Sequence, residues 1–297
     1  MTDWQPFLRG HGTGNDFVLL PDHDGTRYGR ALDPRLVRAL TDRRRGLGGD
    51  GVIRVVRTSV LQASGAIAPA EAPEPAAEWF MDYVNADGST AEMCGNGIRV
   101  LVRHLIDACL VDAEGPLPVG TRAGVLSVTS RPDGTLSVDM GAPDPRLSGH
   151  PVDVVLPGLR ARGTSVAIPN PHAVVGVADL DALGPLSSLP QVTPAVLYPH
   201  GTNVEFVVRR GPGHVAMRVW ERGVGETQSC GTGVCAVAWV AMREDGAGPG
   251  TTYRVDVPGG TLHVTAGQDG RLALRGPAVV VAHGEVDLDA LTGDKLR

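Results

Sequence analysis

The chain has 297 residues, 42% of them hydrophobic and 20% charged, with a formal net charge of −6. That length exceeds the usual single compact domain and favours two of roughly 130 to 150 residues, each able to bury its own core. An acidic balance with only 4% aromatic residues excludes the basic, base-stacking surface of a nucleic-acid binder, and no apolar run approaches the length of a membrane span.

The opening stretch, MTDWQPFLRGHGTGNDF, has neither the basic head nor the apolar segment of a signal peptide, so a cytoplasmic protein is expected. From there the first predicted helix runs over Pro34 to Arg44, opened by Asp33. GLGGDG (46–51) follows and leads into the strand-like run GVIRVV. The segment from Arg57 to Glu78 is rich in Ala and Pro with acidic residues, and reads mainly as a surface insertion with no catalytic role. MDYVNADGSTAEMCGNGIRV (81–100) then feeds a helix predicted over Gly95 to Ala108. Beyond it lie the strand-like GVLSVTS and GTLSVDM, a short helix near Asp179 to Ala182, then NVEFVV and VAMRVW. A third long helix is predicted over Gly231 to Met242, before YRVDV, GTLHVTA and AVVVAHGEV. Strands dominate, and turn signals of Gly, Pro and Asp-Gly separate them.

Two of these helices begin alike. Cys94-Gly-Asn-Gly heads one and Cys230-Gly-Thr-Gly the other, and 136 residues separate the two cysteines. A period of that size suggests two similar halves facing each other, each presenting a cysteine at the start of its central helix, with a cleft holding both thiols. Both helices are apolar around most of their circumference, as expected of helices surrounded by strands. A helix N-terminus stabilises a thiolate and also binds a carboxylate through its unpaired amides. The glycines leave those amides open to a small anionic substrate, whose developing negative charge two such ends would stabilise as an α-proton is removed.

Other readings of the same residues compete less well. A lone cysteine beside glycine is usually a small buried hydrophobe, and Cys109 and Cys235 are read that way. Four cysteines are too few for a secreted disulfide scaffold, and the thiols are expected to be reduced. A zinc site on Cys230 and Cys235 lacks a second close pair of ligands, so no metal is expected. GLGGDG matches a dinucleotide fingerprint, but it follows a helix and precedes a strand, the reverse of the required order. GTGVCA precedes a helix, yet the loop ERGVGETQSC separates it from the strand VAMRVW, so a nicotinamide dehydrogenase is not supported.

NADGSTAEMCGNGIR resembles the signature of the diaminopimelate epimerase family, and GHGTGNDFVLL, GLGGDGVI, NPHAVV, NVEFV and ERGVGETQSCGTG follow in the family's order. The resemblance implies a mixed α/β (α+β) fold of two pseudo-symmetric domains, each a strand barrel around a central helix. The halves are expected at 1–140 with 278–297, carrying Cys94, and at 141–277, carrying Cys230. It also implies an isomerase of lysine and peptidoglycan-precursor biosynthesis that needs no cofactor and inverts one α-carbon between LL- and meso-diaminopimelate. Cys94 would take the proton from the LL isomer and Cys230 from the meso isomer, with Glu221 and His172 accepting or relaying thiol protons. Asn96 and Thr232, with the amides of Gly95 and Gly231, would hold the reacting carboxylate. Asn15, Asn85, Asn170, Asn203 and Arg222 would hold the distal amino-acid end, with Glu221 also counted among the substrate-binding residues. A homodimer is implied, with the small-molecule substrate as partner. Asp16, Asp50 and Asp87 are read as turn or cap residues.

One departure stands out, because many family members carry Gln where this chain has Gly51. A related racemase acting on proline or another amino acid would also keep both cysteines. Proline-type enzymes, however, usually have His at the position of Asn96 and lack the NADGS approach. A catalytically dead amino-acid-binding protein is a further alternative, which solvent deuterium exchange at the α-carbon separates from an enzyme.

Overall fold

The computed structural model describes residues 4–67 and 77–293. They form a mixed α/β fold, mostly strands with few helices, and the chain divides into two compact units, 1–138 with 277–297 and 139–276.

In the first unit, strands β1 (Trp4–Gly12) and β2 (Asn15–Pro21) form a hairpin. β2 runs parallel to β3 (Gly51–Arg57), which pairs antiparallel with β4 (Trp79–Asn85). β5 (Pro116–Thr121), β6 (Gly124–Ser130) and β7 (Leu136–Asp139) continue the unit, and the returning strand Val279–Asp287 pairs with β1. Both faces of β2 and β3 are covered, so burial runs on along each strand instead of alternating, even through Arg54 of β3. Val18, Leu20 and Val52 pack with Leu36, Val37 and Leu40 of helix α1 (Pro34–Thr41). On the opposite face Ile53 approaches helix α3 (Gly95–Asp107), which also contacts β1, β2, β4 and the returning strand.

Helix α1 starts where expected, with the Asp33 carboxylate accepting from the Arg35 amide, but it stops at Thr41 instead of Arg44. There the Asp42 carboxylate accepts from the amides of Arg44 and Arg45 and turns the chain away. The segment 57–78 is not simply a surface insertion. It opens with helix α2 (Thr58–Ala63), and Leu61 and Ile67 pack against Val56 and Phe80 in a small core of their own. Positions 68–76 of that segment lie outside the described residues.

In the second unit, β8 (Pro151–Leu156), β9 (Leu159–Ile168) and β10 (Asn170–Gly176) run in antiparallel succession, with β11 (Gln191–Thr193) pairing on β8. β10 pairs parallel with β12 (Asn203–Gly211), which forms a hairpin with β13 (His214–Glu221). β14 (Gly225–Thr227) pairs on β13, and β15 (Thr252–Val257), β16 (Gly260–Ala266) and β17 (Leu272–Gly276) complete the set. These strands surround helix α4 (Gly231–Glu244), which is buried at every described position except Trp239, Arg243 and Glu244. The expectation of a helix enclosed by strands therefore holds in each unit. The short helix expected near Asp179 is a single 3₁₀ turn, Asp181–Leu183, too short to bury a face.

Candidate active site

Cys94 caps α3. Its backbone is extended, and its sulfur accepts from the Gly97 amide at 3.4 Å while lying 3.7 Å from Asn15 Oδ1. The thiol is partly exposed. Asn96 follows in the first turn, buried, with its amide nitrogen 3.5 Å from the same Asn15 oxygen. Asn15, Cys94, Gly95 and Asn96 thus gather at one helix head. Asn15 was expected among the groups holding the distal end of a substrate, yet its side chain stands beside the Cys94 thiol.

Two residues here have supporting roles that the sequence did not reveal: Arg99, the last residue of the signature, and Asp50, which reads as a turn or cap residue. Arg99 is fully buried, and its guanidinium reaches the Gly95 carbonyl at 2.9 Å and Asn96 Oδ1 at 2.8 Å, fixing the amide of Asn96 with its nitrogen toward Asn15. Asp50 accepts from Asn15 Nδ2 at 2.7 Å and from the Asp16 amide at 3.1 Å. Burial pushes its carboxyl up, with the Asp16 amide opposing. Asp50 is therefore a brace for Asn15, not a turn residue, and Asp16 is an ion-pair partner of Arg9 and Arg43. Asp87 does behave as a turn residue, accepting from the Ser89 amide at 2.8 Å, and Gly88 supplies the positive φ of 88° that this turn requires. The turn ties Asn85 Nδ2 to Ser89 Oγ at 3.0 Å. At Gly51, a Cβ would lie 2.4 Å from the Tyr83 ring, so the tyrosine fills the space that a longer residue would need.

In the second unit the register sets the site. His172 pairs with Asn203, and Glu205 pairs with Val174 across β10 and β12 and with Val219 across β12 and β13. Side chains two apart share a face, so Asn170, His172, Asn203, Glu205 and Glu221 all lie on the face toward α4. The other face carries Ala173, Val175, Val204 and Phe206 into the main core of this unit. Cys230 heads α4 and is buried, with its sulfur 3.3 Å from Thr232 Oγ1. Burial, followed by the Glu221 and Glu205 carboxylates, pushes this thiol well above the usual cysteine range. Glu221 is also pushed up, first by desolvation and then by Glu205, with hydrogen bonds from Thr227 and Cys230 opposing. Asn203 Oδ1 accepts from the Arg222 amide at 2.8 Å, and the Arg222 guanidinium reaches the His200 carbonyl at 3.2 Å. Cys235 is buried as expected, whereas Cys109 is exposed just past α3 and does not fit the reading of a buried hydrophobe.

The two helix heads differ in how tightly they are packed. A Cβ at Gly97 would come no closer than 3.1 Å to Ile53 Cδ1, a flexible side-chain end. At Gly233 it would meet the buried Glu205 carboxylate at 2.6 Å. Gly233→Ala should therefore cost about 1–3 kcal/mol through overpacking, while Gly97→Ala should be close to neutral because its steric cost is offset by about 1 kcal/mol of helix propensity. Urea unfolding of both variants checks this; equal losses would contradict it. Among the described residues, no three His, Cys, Asp or Glu side chains stand close enough to hold a metal ion, and no helix is long and apolar enough to cross a membrane.

The fold places the chain in a recognisable class. It aligns with a hydroxyproline epimerase from Agrobacterium vitis over 97% of this chain and 94% of that one, with a TM-score of 0.64 at 13% identity. A phenazine biosynthesis protein of the PhzF family from Bacillus anthracis aligns over 96% and 99%, with a TM-score of 0.61 at 15% identity. The architecture is thus the one shared by such epimerases and PhzF proteins. The sequence narrows this further. The profile described as diaminopimelate epimerase matches residues 7–145 and 164–286. A diaminopimelate epimerase from Streptomyces coelicolor is 51% identical, with 97% of each chain covered, and one from Thermobifida fusca is 46% identical over 96% of this chain and 99% of its own. The chain belongs to the diaminopimelate epimerase family and is an isomerase of lysine biosynthesis.

Proposed function

We propose that the enzyme interconverts LL- and meso-diaminopimelate by inverting one α-carbon with two cysteines. One thiolate removes the α-proton and the other thiol delivers a proton to the opposite face of the carbanion. Cys94 takes the proton from the LL isomer, and Cys230 takes it from the meso isomer. The observation that carries this reading is the unequal setting of two cysteines that each head a buried helix. The partly exposed Cys94 sulfur accepts a helix amide, a hydrogen bond that would stabilise its thiolate once formed. Burial and two carboxylates favour the protonated form of the Cys230 thiol, the form that delivers a proton. Glu221 and His172 serve as proton acceptors or relays. The amides of Gly95 and Gly231, with Asn96 and Thr232, take the carboxylate at the reacting carbon, where helix amides stabilise developing charge.

Asn15, Asn85, Asn170, Asn203 and Arg222 hold the far amino-acid end, Arg222 as a fork on its carboxylate. Asn15 accomplishes this from a position next to the Cys94 thiol. Substrates without the second amino-acid end leave these groups unpaired, at roughly 1–3 kcal/mol per lost contact. Proline, alanine and lysine should then be very poor substrates, and Arg222→Met should depress diaminopimelate turnover strongly while the partly exposed Cys94 remains open to alkylation. Specificity constants for each amino acid with wild type and variant test this. Equal efficiency on lysine or proline would replace the reading with a broader racemase. The active unit is proposed to be a cytoplasmic homodimer, and light scattering on the purified chain decides its assembly.

A further inference from the structure

We infer that Glu205 is a positioning residue that fixes His172 as the Nδ1–H tautomer, leaving Nε2 as the basic atom with which the imidazole takes up and returns a thiol proton. This rests on the functional reading above, although the tautomer can be read without turnover.

His172 and Glu205 are both fully buried, and His172 Nδ1 lies 2.7 Å from Glu205 Oε1. An ionised carboxylate only accepts, so the shared hydrogen must sit on Nδ1. In the neutral ring the lone pair then falls on Nε2, which makes no hydrogen bond among the described residues. Neither partner can turn away easily. Glu205 is wedged against the first turn of α4, where even a methyl group on Gly233 would meet its Oε1 at 2.6 Å. The backbone of His172 is held by its pairing with Val166 and Asn203, and its carbonyl accepts from Tyr198 Oη at 3.2 Å. Titratable neighbours of this pair include Glu221 from β13, Cys230 from the head of α4, and the Tyr198 phenol, each of which feels the Glu205 charge.

The proton step balances within these groups. As a cysteine thiol ionises, its proton passes to His172 Nε2, giving thiolate and imidazolium, and the Glu205 carboxylate neutralises the ring through Nδ1–H. The reverse transfer restores thiol and neutral imidazole. An amide in place of the carboxylate keeps the shape but supplies no charge, and its NH₂ can donate to Nδ1 and reverse the tautomer.

The test combines long-range ¹⁵N–¹H spectroscopy of the histidine ring with steady-state kinetics. Wild-type His172 should show the Nδ1–H pattern, with Nε2 unprotonated in the neutral form. Glu205→Gln should lose that pattern and lower kcat by roughly 10- to 100-fold, within the range of acid–base assistance, with KM nearly unchanged. A wild-type ring protonated on Nε2 in its neutral form would overturn the inference. So would a folded Glu205→Gln enzyme that keeps the wild-type pattern and turnover, or one whose only defect is lower stability with an unchanged ring spectrum. The wild-type spectrum decides the matter even should the variant fail to fold. A wild-type enzyme that does not invert diaminopimelate would remove the functional reading and leave the tautomer to be judged by the spectrum alone.

Discussion

Cys94→Ala and Cys230→Ala should each lower epimerisation by about 10²- to 10⁴-fold or more, because each removes the only group proposed to carry a proton on one face of the α-carbon. The fold should survive both changes. Cys94 is partly exposed, and at the buried Cys230, whose sulfur lies 3.3 Å from Thr232 Oγ1, the change removes a single sulfur atom, so truncation should cost no more than about 1–2 kcal/mol. Circular dichroism and urea unfolding establish the second point, and chiral chromatography of the reaction in both directions establishes the first. A folded variant that keeps near-normal turnover in either direction would break the two-base assignment.

Arg54→Met should lower the unfolding free energy by about 3–5 kcal/mol, the usual result of stranding a buried charge. Arg54 sits in the middle of β3 and is fully buried, with its Nε 2.8 Å from Asp22 Oδ2 and its Nη2 2.8 Å from the Gly29 carbonyl. Asp22 is fully buried too, and the nearby Asp82 carboxylate is shared between Arg54 and Arg122. Methionine fills the volume but takes away the charged partner of Asp22 and leaves the Arg27 amide donating to its carboxylate. The double change Arg54→Met with Asp22→Leu should recover much of the loss, since a matched apolar pair removes both the charge and its partner. Urea denaturation of the single and double variants measures both effects. A single-variant loss below about 1 kcal/mol would show that the pair contributes little.

The same residues show how far the sequence could be read. Cys94 and Cys230 were legible because Cys-Gly-x-Gly before an apolar helix carries its chemistry locally, in residues adjacent along the chain. Glu205 was not legible. In NVEFVV the alternation of polar and apolar residues reads as an ordinary half-exposed strand, and only α4 lying across that face buries the carboxylate beside His172, 33 residues away. Arg54 in GVIRVV was hidden for the same reason, since its partner Asp22 is 32 residues earlier. Asp50 read as a turn residue because Asp-Gly usually marks a turn, whereas its side chain serves Asn15 across 35 residues. The Ala- and Pro-rich composition of 57–78 masked the packing of Leu61 and Ile67, two apolar positions that the composition dilutes. Composition reports average solvation and pattern reports local geometry. Contacts between distant polar side chains belong to neither.

The central claim, that two cysteines move protons on opposite faces of one α-carbon, is tested most directly by incubating the purified enzyme with LL-diaminopimelate in deuterium oxide. Stereochemistry and isotope content are followed together during the first turnovers. The account predicts meso product carrying one solvent deuterium at the inverted carbon, appearing before any label enters the recovered LL substrate. Product that retains its original α-proton, or label that enters substrate and product equally from the outset, would contradict it.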